Sequence, residues 1–222
     1  MEIRKTFHEQ LREIQDDVLL MGSMVEKAII RSIESLKKRD LDAANQIITD
    51  DIKINKKRFD IEEKCIELIA TQQPMASDLR TIIAVLSIIT ELERIGDHAE
   101  GIAKIVVMIG DEPPVKPLVD LPRMADKTID MLRRSLDSFD KRNAESARQI
   151  AIEDDEVDNL WSQVFRELIT FMAEDPKTIT RATRLIWVAH NLERSADRVT
   201  NICERVVFLV TGKMEEIGAS NY

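Results

Sequence analysis

Along the N-terminal part of the chain, apolar side chains recur at spacings of mostly three and four: Leu11, Ile14, Val18, Met21, Val25, Ala28, Ile29 and Ile33. That spacing gives one apolar stripe and predicts a helix over about residues 4–38. Lys37, Lys38 and Arg39 place positive charge at the negative pole of its dipole, and Asp40 reads as the N-cap of a second helix over about 41–71. Pro74 marks the next turn, and a third helix is predicted over about 78–109. Its first half, from Ile82 to Ile89, is apolar nearly all round, which predicts burial on every side.

The pattern stops at Asp111-Glu112-Pro113-Pro114-Val115-Lys116-Pro117, which holds three of the six prolines. Proline removes the backbone donor a helix needs, so residues 111–121 read as a linker. The pattern then restarts. Helices are predicted over about 122–140, 144–173 and 178–210, with Pro122 in a first turn, Asn143 as a cap and Pro176 at a turn. Residues 212–222 are expected to form a loose tail. The expected architecture is all-α, a tandem repeat of two three-helix bundles, 1–110 and 122–211, built from six long antiparallel helices.

The duplication is also visible residue by residue. Glu91-Leu92-Glu93-Arg94-Ile95-Gly96-Asp97-His98 returns as Asn191-Leu192-Glu193-Arg194-Ser195-Ala196-Asp197-Arg198, an offset of 100. Met24-Val25-Glu26-Lys27 lines up with Met124-Ala125-Asp126-Lys127, Arg39-Asp40 with Arg142-Asn143, Asp50-Asp51 with Glu153-Asp154, and Pro74 with Pro176. The offset drifts between 100 and 103.

Composition agrees with a helical globular chain: 222 residues, 44% apolar, 4% aromatic and only six glycines. The formal charge of −9 argues against a broad nucleic-acid surface, which needs clustered Lys and Arg. Lys37-Lys38-Arg39 and Lys56-Lys57-Arg58 read as solvated helix faces. Cys65 and Cys203 stand alone and read as small buried residues in a reducing compartment. No apolar run approaches the roughly 20 residues a membrane span requires, and charges throughout residues 1–17 exclude a signal peptide. A cytoplasmic location is expected, with membrane contact only through partner proteins.

Within each copy of the duplicated motif, Glu93 with Asp97 and Glu193 with Asp197 lie four apart, one turn apart on one helix face. They sit opposite the seams Leu92, Ile95, Ala99, Ile102, Val106 and Leu192, Val199, Ile202, Val206, Leu209. The ordinary reading of such a face is solvation. Like charges at this spacing cost roughly 0.2–0.5 kcal/mol on a bare helix, yet both halves keep the pair. The second and fifth helices add Asp51 with Asn55 and Asp154 with Asp158. If these lie beside the third and sixth helices, each half gathers three or four oxygen ligands of the kind that suits hard cations such as magnesium, manganese, calcium or oxidised iron. His8, His98 and His190 read as ordinary. Arg94 and Arg194 read either as ion pairs to a neighbouring helix or as anion or partner contacts. No phosphate-binding Gly-rich loop, nucleophile elbow, His-Glu-x-x-His or Glu-x-x-His pair is present, and enzyme activity is not expected.

Gln73-Pro74-Met75-Ala76-Ser77-Asp78-Leu79-Arg80, Leu92-Glu93-Arg94-Ile95-Gly96-Asp97-His98-Ala99 and the second copy at 192–197 resemble the PhoU family over nearly the whole chain. The resemblance implies two three-helix bundles and a negative regulator of phosphate uptake and of the phosphate-starvation response. It implies an adaptor between the phosphate-specific ABC transporter, through its ATPase subunit, and a sensor histidine kinase, and a homo-oligomer, a dimer first. It also implies metal ions, iron first, with magnesium, manganese or zinc as others, on Glu/Asp-x-x-x-Asp motifs at Glu93 and Asp97, Glu193 and Asp197, and Asp154 and Asp158. Asp51 with Asn55 departs from that motif by a neutral amide, which weakens cation affinity at the first site. The competing reading is a metal-dependent enzyme or metal store using the paired carboxylates.

Overall fold

The computed structural model describes the backbone of residues 2–217 and the side chains of residues 6–217. The first half is three long helices: α1 (Glu2–Lys38), α2 (Leu41–Gln72) and α3 (Ala76–Ile109). The second half repeats them as α4 (Asp120–Asp140), a broken rod made of α5 (Ala144–Ile152) and α6 (Asp154–Glu174), and α7 (Ile179–Thr211). A turn of 3-10 helix at Pro176–Thr178 precedes α7. Among the described residues there are no strands, and no helix is long and apolar enough to cross a membrane.

Equivalent turns are built in equivalent ways. Arg39 and Arg142 both take positive φ, 55° and 51°. The residue after each caps the next helix: Asp40 Oδ1 accepts from the Ala43 amide at 2.9 Å and Asn143 Oδ1 from the Ser146 amide at 3.0 Å. Each cap satisfies a donor that the first helical turn leaves unpaired.

These turns fix the repeat register at 103 from α1 through α2. Buried hydroxyls confirm it: Ser32 donates to the Ile29 carbonyl, and Ser135, 103 residues on, to that of Leu132. The match of Met24 with Met124 at an offset of 100 is therefore not structural. Met21 is the counterpart of Met124, and both are fully buried. The offset falls to 100 only after the α2–α3 turn, where the two halves use connections of different length.

The stripe of α1 from Leu11 to Ile33 is buried apart from Ala28, which is half-buried, and the seams of α3 and α7 are buried throughout. α3 packs against α1, α2 and α7 at once, which buries most of its N-terminal half, but the expected burial on every side fails at Ile83, which is 40% exposed because no helix covers that side. Each fully buried Ile or Leu of that seam contributes about 1.5–3 kcal/mol. The halves meet through α3 against α7 and α1 against α4. α3 and α7 run antiparallel: Glu91 lies 3.5 Å from Arg198, while Asn191 crowds Gly101, where a Cβ would sit 2.9 Å from its Oδ1. Cys65 and Cys203 are free, buried and in separate halves. Burial pushes both thiols up to about 12.

Three expectations need correction. The fifth rod is broken at Glu153, whose amide donates to the Ile150 carbonyl at 3.1 Å while its own carbonyl accepts from Glu156 at 3.1 Å. These tight bonds turn the chain where Glu153 reaches α4. Secondly, the linker ends earlier than residue 121, because α4 begins at Asp120. Arg39 and Arg181 donate to the linker carbonyls of Asp111 and Pro113 at 3.2 and 3.0 Å. Thirdly, the start of the tail is not loose. Glu215 pairs with Arg148 at 2.9 Å, and the Ile217 amide donates to Glu204 at 3.0 Å. Residues 218–222 lie outside the described residues.

Candidate functional site

In the second half, one turn of α6 presents Asp154 and Asp158, and one turn of α7 presents Glu193 and Asp197. Packing of α6 on α7 brings the four carboxylates together. Burial raises Asp154 to about 7, and the charges of Asp158, Asp197 and Glu193 push it the same way. Burial likewise raises Glu193 to about 7, with Asp197 and Asp158 adding repulsion and Arg194 opposing it. Asp158 is raised by burial and by Asp197. Asp197 is raised by burial, although Arg194 and Arg198 pull it down. Asp154 Oδ1 and Glu193 Oε2 are buried without a hydrogen-bond partner. The latter lies 3.1 Å from His190 Nδ1, outside hydrogen-bond geometry.

The first half gathers Asp51 and Asn55 from α2 with Glu93 and Asp97 from α3. Glu100 joins them, a residue outside the site that the sequence predicts. Burial raises Asp51 to about 6, and Glu100, Asp97 and Glu93 repel it further. Asn55 Nδ2 donates to Asp51 Oδ2 at 2.8 Å and partly relieves this. Lys104 neutralises Glu100 at 2.7 Å. The first cluster is the milder of the two because an amide replaces one carboxylate.

The carboxylates are not on an open outer face. The Glu93 and Glu193 side chains are only 17% and 12% exposed. Among the described residues, Arg94 and Arg194 form no ion pair with a neighbouring helix. Each folds back along its own helix, donating to Asp97 at 3.2 Å and to Asp197 at 2.9 Å. Three residues separate donor and acceptor in both, a spacing legible in the sequence. His190, three residues before Glu193, carries the same signal, so its reading as an ordinary residue misses a neighbour of the site.

Each cluster is flanked by an oppositely tuned carboxylate. Asp50 is held down to about 2 by Lys53 and by Arg31, at 2.7 and 2.8 Å. Glu153, its counterpart at offset 103, is held down to about 2 by Arg134 and Lys127. Lys127 also reaches Glu156 at 3.0 Å. Met24 occupies the position of Lys127 in the first half. There the groove where α1, α2 and α3 meet stays open as a cleft of about 220 Å³, ringed by Lys27, Arg31, Asp50, Asp51, Lys53 and Glu100.

The donor set is all oxygen, and it carries the repulsion that a bound cation relieves. Unpartnered oxygens on Asp154 and Glu193 fit a hard cation in the second half best. Among the described residues, however, no three His, Cys, Asp or Glu side chains converge closely enough to hold an ion as they stand. Binding therefore requires side-chain rotation. Asp154, Asp158, Glu193 and Asp197 would hold the ion in the second half, and Asp51, Glu93, Asp97 and Glu100 in the first.

The family model of the PhoU domain matches twice, at residues 18–106 and 121–206. Its two matches begin 103 apart and end 100 apart, the same register change that the turns impose. A Clostridium acetobutylicum protein named phosphate-specific transport system accessory protein PhoU homolog is 40% identical, over 96% of this chain and 98% of its own length. The Aquifex aeolicus homolog of the same name is 37% identical over 93% of each chain. The crystal structure of the phosphate transport system regulatory protein PhoU from Streptococcus pneumoniae superposes with a TM-score of 0.89 at 32% identity, covering 95% of this chain and all of that one. That of PhoU from Pseudomonas aeruginosa gives 0.88 at 34% identity, covering 93% of this chain and all of that one. These relatives are named as accessory and regulatory proteins, not as enzymes. With both halves matched by the family model and relatives aligned along nearly its whole length, the chain belongs to the PhoU family.

Proposed function

We propose that this chain is a non-enzymatic, cytoplasmic adaptor that represses phosphate uptake and the phosphate-starvation response. It does so by contacting the ATPase subunit of the phosphate-specific ABC transporter and a sensor histidine kinase. The observation that carries the reading is the match along nearly the whole chain to proteins named as accessory to phosphate-specific transport. Rigid paired bundles with a long helical surface are consistent with contact between proteins.

The paired carboxylate clusters give such an adaptor a means of regulation. A hard cation supplies the positive charge that each cluster lacks. Its binding draws α6 towards α7, and α2 towards α3, by removing repulsion between carboxylates on facing helices. Arg194 and Arg94 stay on their own helices and hold Asp197 and Asp97 in place during that change. Asp50 and Glu153, already ion-paired, anchor α2 to α1 and the α5–α6 break to α4.

Deleting the gene tests the reading. Phosphate uptake and starvation-gene output should both rise when phosphate is plentiful, and a deletion that changes neither contradicts it.

A further inference from the structure

The cleft of the first half differs from the same place in the second by three changes of charge. At the repeat offset of 103, Lys27 stands where the second half has Asp130, Lys53 where it has Glu156, and Met24 where it has Lys127. In the second half these side chains close on one another. Lys127 reaches Glu153 and Glu156 at 2.7 and 3.0 Å. Arg134 holds Glu153 with both Nη atoms and Asp130 with Nη1. In the first half the same positions surround about 220 Å³ of open space, well above the roughly 10–15 Å³ that one water needs.

The two walls of the cleft offer different groups. On the α1–α2 side, Lys27 makes no hydrogen bond or ion pair among the described residues. Arg31 commits only Nη1, to Asp50 at 2.8 Å, and its Nη2 and Nε stay uncommitted. Lys53 pairs with the same Asp50 at 2.7 Å, so that acid is neutralised twice and positive charge is left over. On the α3 side stand two acceptors. Asp51 takes Asn55 on Oδ2, and Glu100 takes Lys104 on Oε2. Asp51 Oδ1 and Glu100 Oε1 accept no hydrogen bond among the described residues. Asp51 Oδ1 lies 3.6 Å from where a Cβ on Gly96 would sit, which places it against α3. Ile47 and Ile54 line the space between and are buried, and such an apolar floor strengthens charge interactions above it.

We infer that this cleft binds inorganic phosphate. Lys27 and the uncommitted side of the Arg31 guanidinium supply donors and charge for its oxygens. The carboxylates then select among anions. Hydrogen phosphate carries a proton, which it donates to Asp51 or Glu100 as a hydrogen bond. Sulfate has the same shape and no proton. A phosphate ester, whose second pKa is about 6, is a bare dianion at pH 8. Either would leave the acceptors unpaired and facing a negative charge, so the cleft rejects both. The second half, closed by Lys127 and carrying Asp130 and Glu156, takes none. The inference deepens the proposed function, on which it rests for the meaning of the signal but not for the binding. A chain that failed to bind phosphate could still contact transporter and kinase, and the reverse holds too.

Isothermal titration calorimetry on the full chain tests the site, at about pH 8 and constant ionic strength. Chelator is present throughout, because a cation on Asp51 and Glu100 would occupy the same acceptors. Potassium phosphate, potassium sulfate and glycerol 3-phosphate are titrated separately. One phosphate should bind per chain, roughly tenfold or more tighter than sulfate or the ester. Lys27→Asp gives the first half the residue that the second half carries there, and Lys27 is exposed, so the fold should tolerate it. It should weaken phosphate binding roughly tenfold or more. Lys177→Asp, the same change of charge at the exposed turn before α7, should alter it by less than about twofold. Asp51→Asn should narrow the preference for phosphate over sulfate. The inference is overturned if phosphate gives no saturable binding at millimolar concentration, or if sulfate or the ester binds as tightly. It is also overturned if the two lysine variants lose affinity equally, which would make the binding a general effect of charge.

Discussion

Arg134 on α4 grips Glu153 through two hydrogen bonds, of 2.8 and 2.7 Å, at the point where the fifth rod breaks. A bidentate guanidinium–carboxylate contact is stronger and more directional than a single charged hydrogen bond. It decides which way the chain leaves the break, and so where Asp154, the next residue, points. Replacing Arg134 by Ala should lower unfolding free energy by about 1–3 kcal/mol in urea titrations. Combined with Glu153→Ala, the loss should be less than the sum of the two single losses. Additive losses would show that the contact does not position the break.

Glu153 and Asp154 titrate in opposite directions, which gives the stability a defined dependence on pH. Glu153 is held down to about 2 by Arg134 and Lys127. Its contribution is therefore present above the unfolded carboxylate range and lost only as the pH falls towards about 2. Asp154 and Glu193 are raised to about 7 by burial and neighbouring carboxylates. The folded state holds protons that the unfolded state has released, so stability is lost as the pH rises from about 4 through about 7. Asp154→Asn removes one of these groups. Its Tm should match the wild type at or below about pH 4 and exceed it at pH 8 by a few degrees, on the order of 2–4 °C. Equal Tm values at pH 8 in chelator would refute the repulsion.

Asn55 separates the two clusters chemically. Asn55→Asp should raise the affinity of the first site for a hard cation, while Asp158→Asn lowers that of the second. Titration of chelator-stripped protein with manganese, followed by calorimetry and elemental analysis, reads both changes. If the two substitutions leave uptake unaltered, the clusters are not the cation sites.

Gly22 lies where α1 crosses α4. A Cβ there would overlap Leu136 Cδ1. Gly22→Ala should cost about 1–3 kcal/mol through overpacking, and pairing it with Leu136→Ala should recover part of that loss. Full additivity in denaturant titrations would place the two residues out of contact.

Much of this molecule is legible in its sequence for identifiable reasons. Helices with strong 3.6-residue periodicity and Asp40 or Asn143 caps are specified locally, and the three prolines of 113–117 mark the linker. The four-residue spacing marks Asp51, Asp154 and Asp158 as candidates, while their place beside the α3 and α7 carboxylates comes from the packing of α2 on α3 and of α6 on α7. What escapes depends on tertiary contact. No glycine or proline marks the break at Glu153, because its cause lies on another helix. The register of α1 against α4 is fixed by the equivalent turns at Arg39 and Arg142 and marked by buried Ser32 and Ser135, not by the Met24-to-Lys27 string. The crossing of Glu91 with Arg198, and of Asn191 over Gly101, joins residues more than eighty positions apart in the numbering. Nothing in either copy alone announces it.

An adaptor of the proposed kind must bind both the transporter and the kinase. Calorimetric titration of the full chain into the purified ATPase subunit, and separately into the cytosolic part of the sensor kinase, tests it most directly. Both titrations are run in chelator and with added divalent cation. The account predicts saturable binding to each partner, strengthened by the cation in the wild type and not in a variant lacking Asp154, Asp158, Glu193 and Asp197. Absence of binding to either partner in every condition would contradict it.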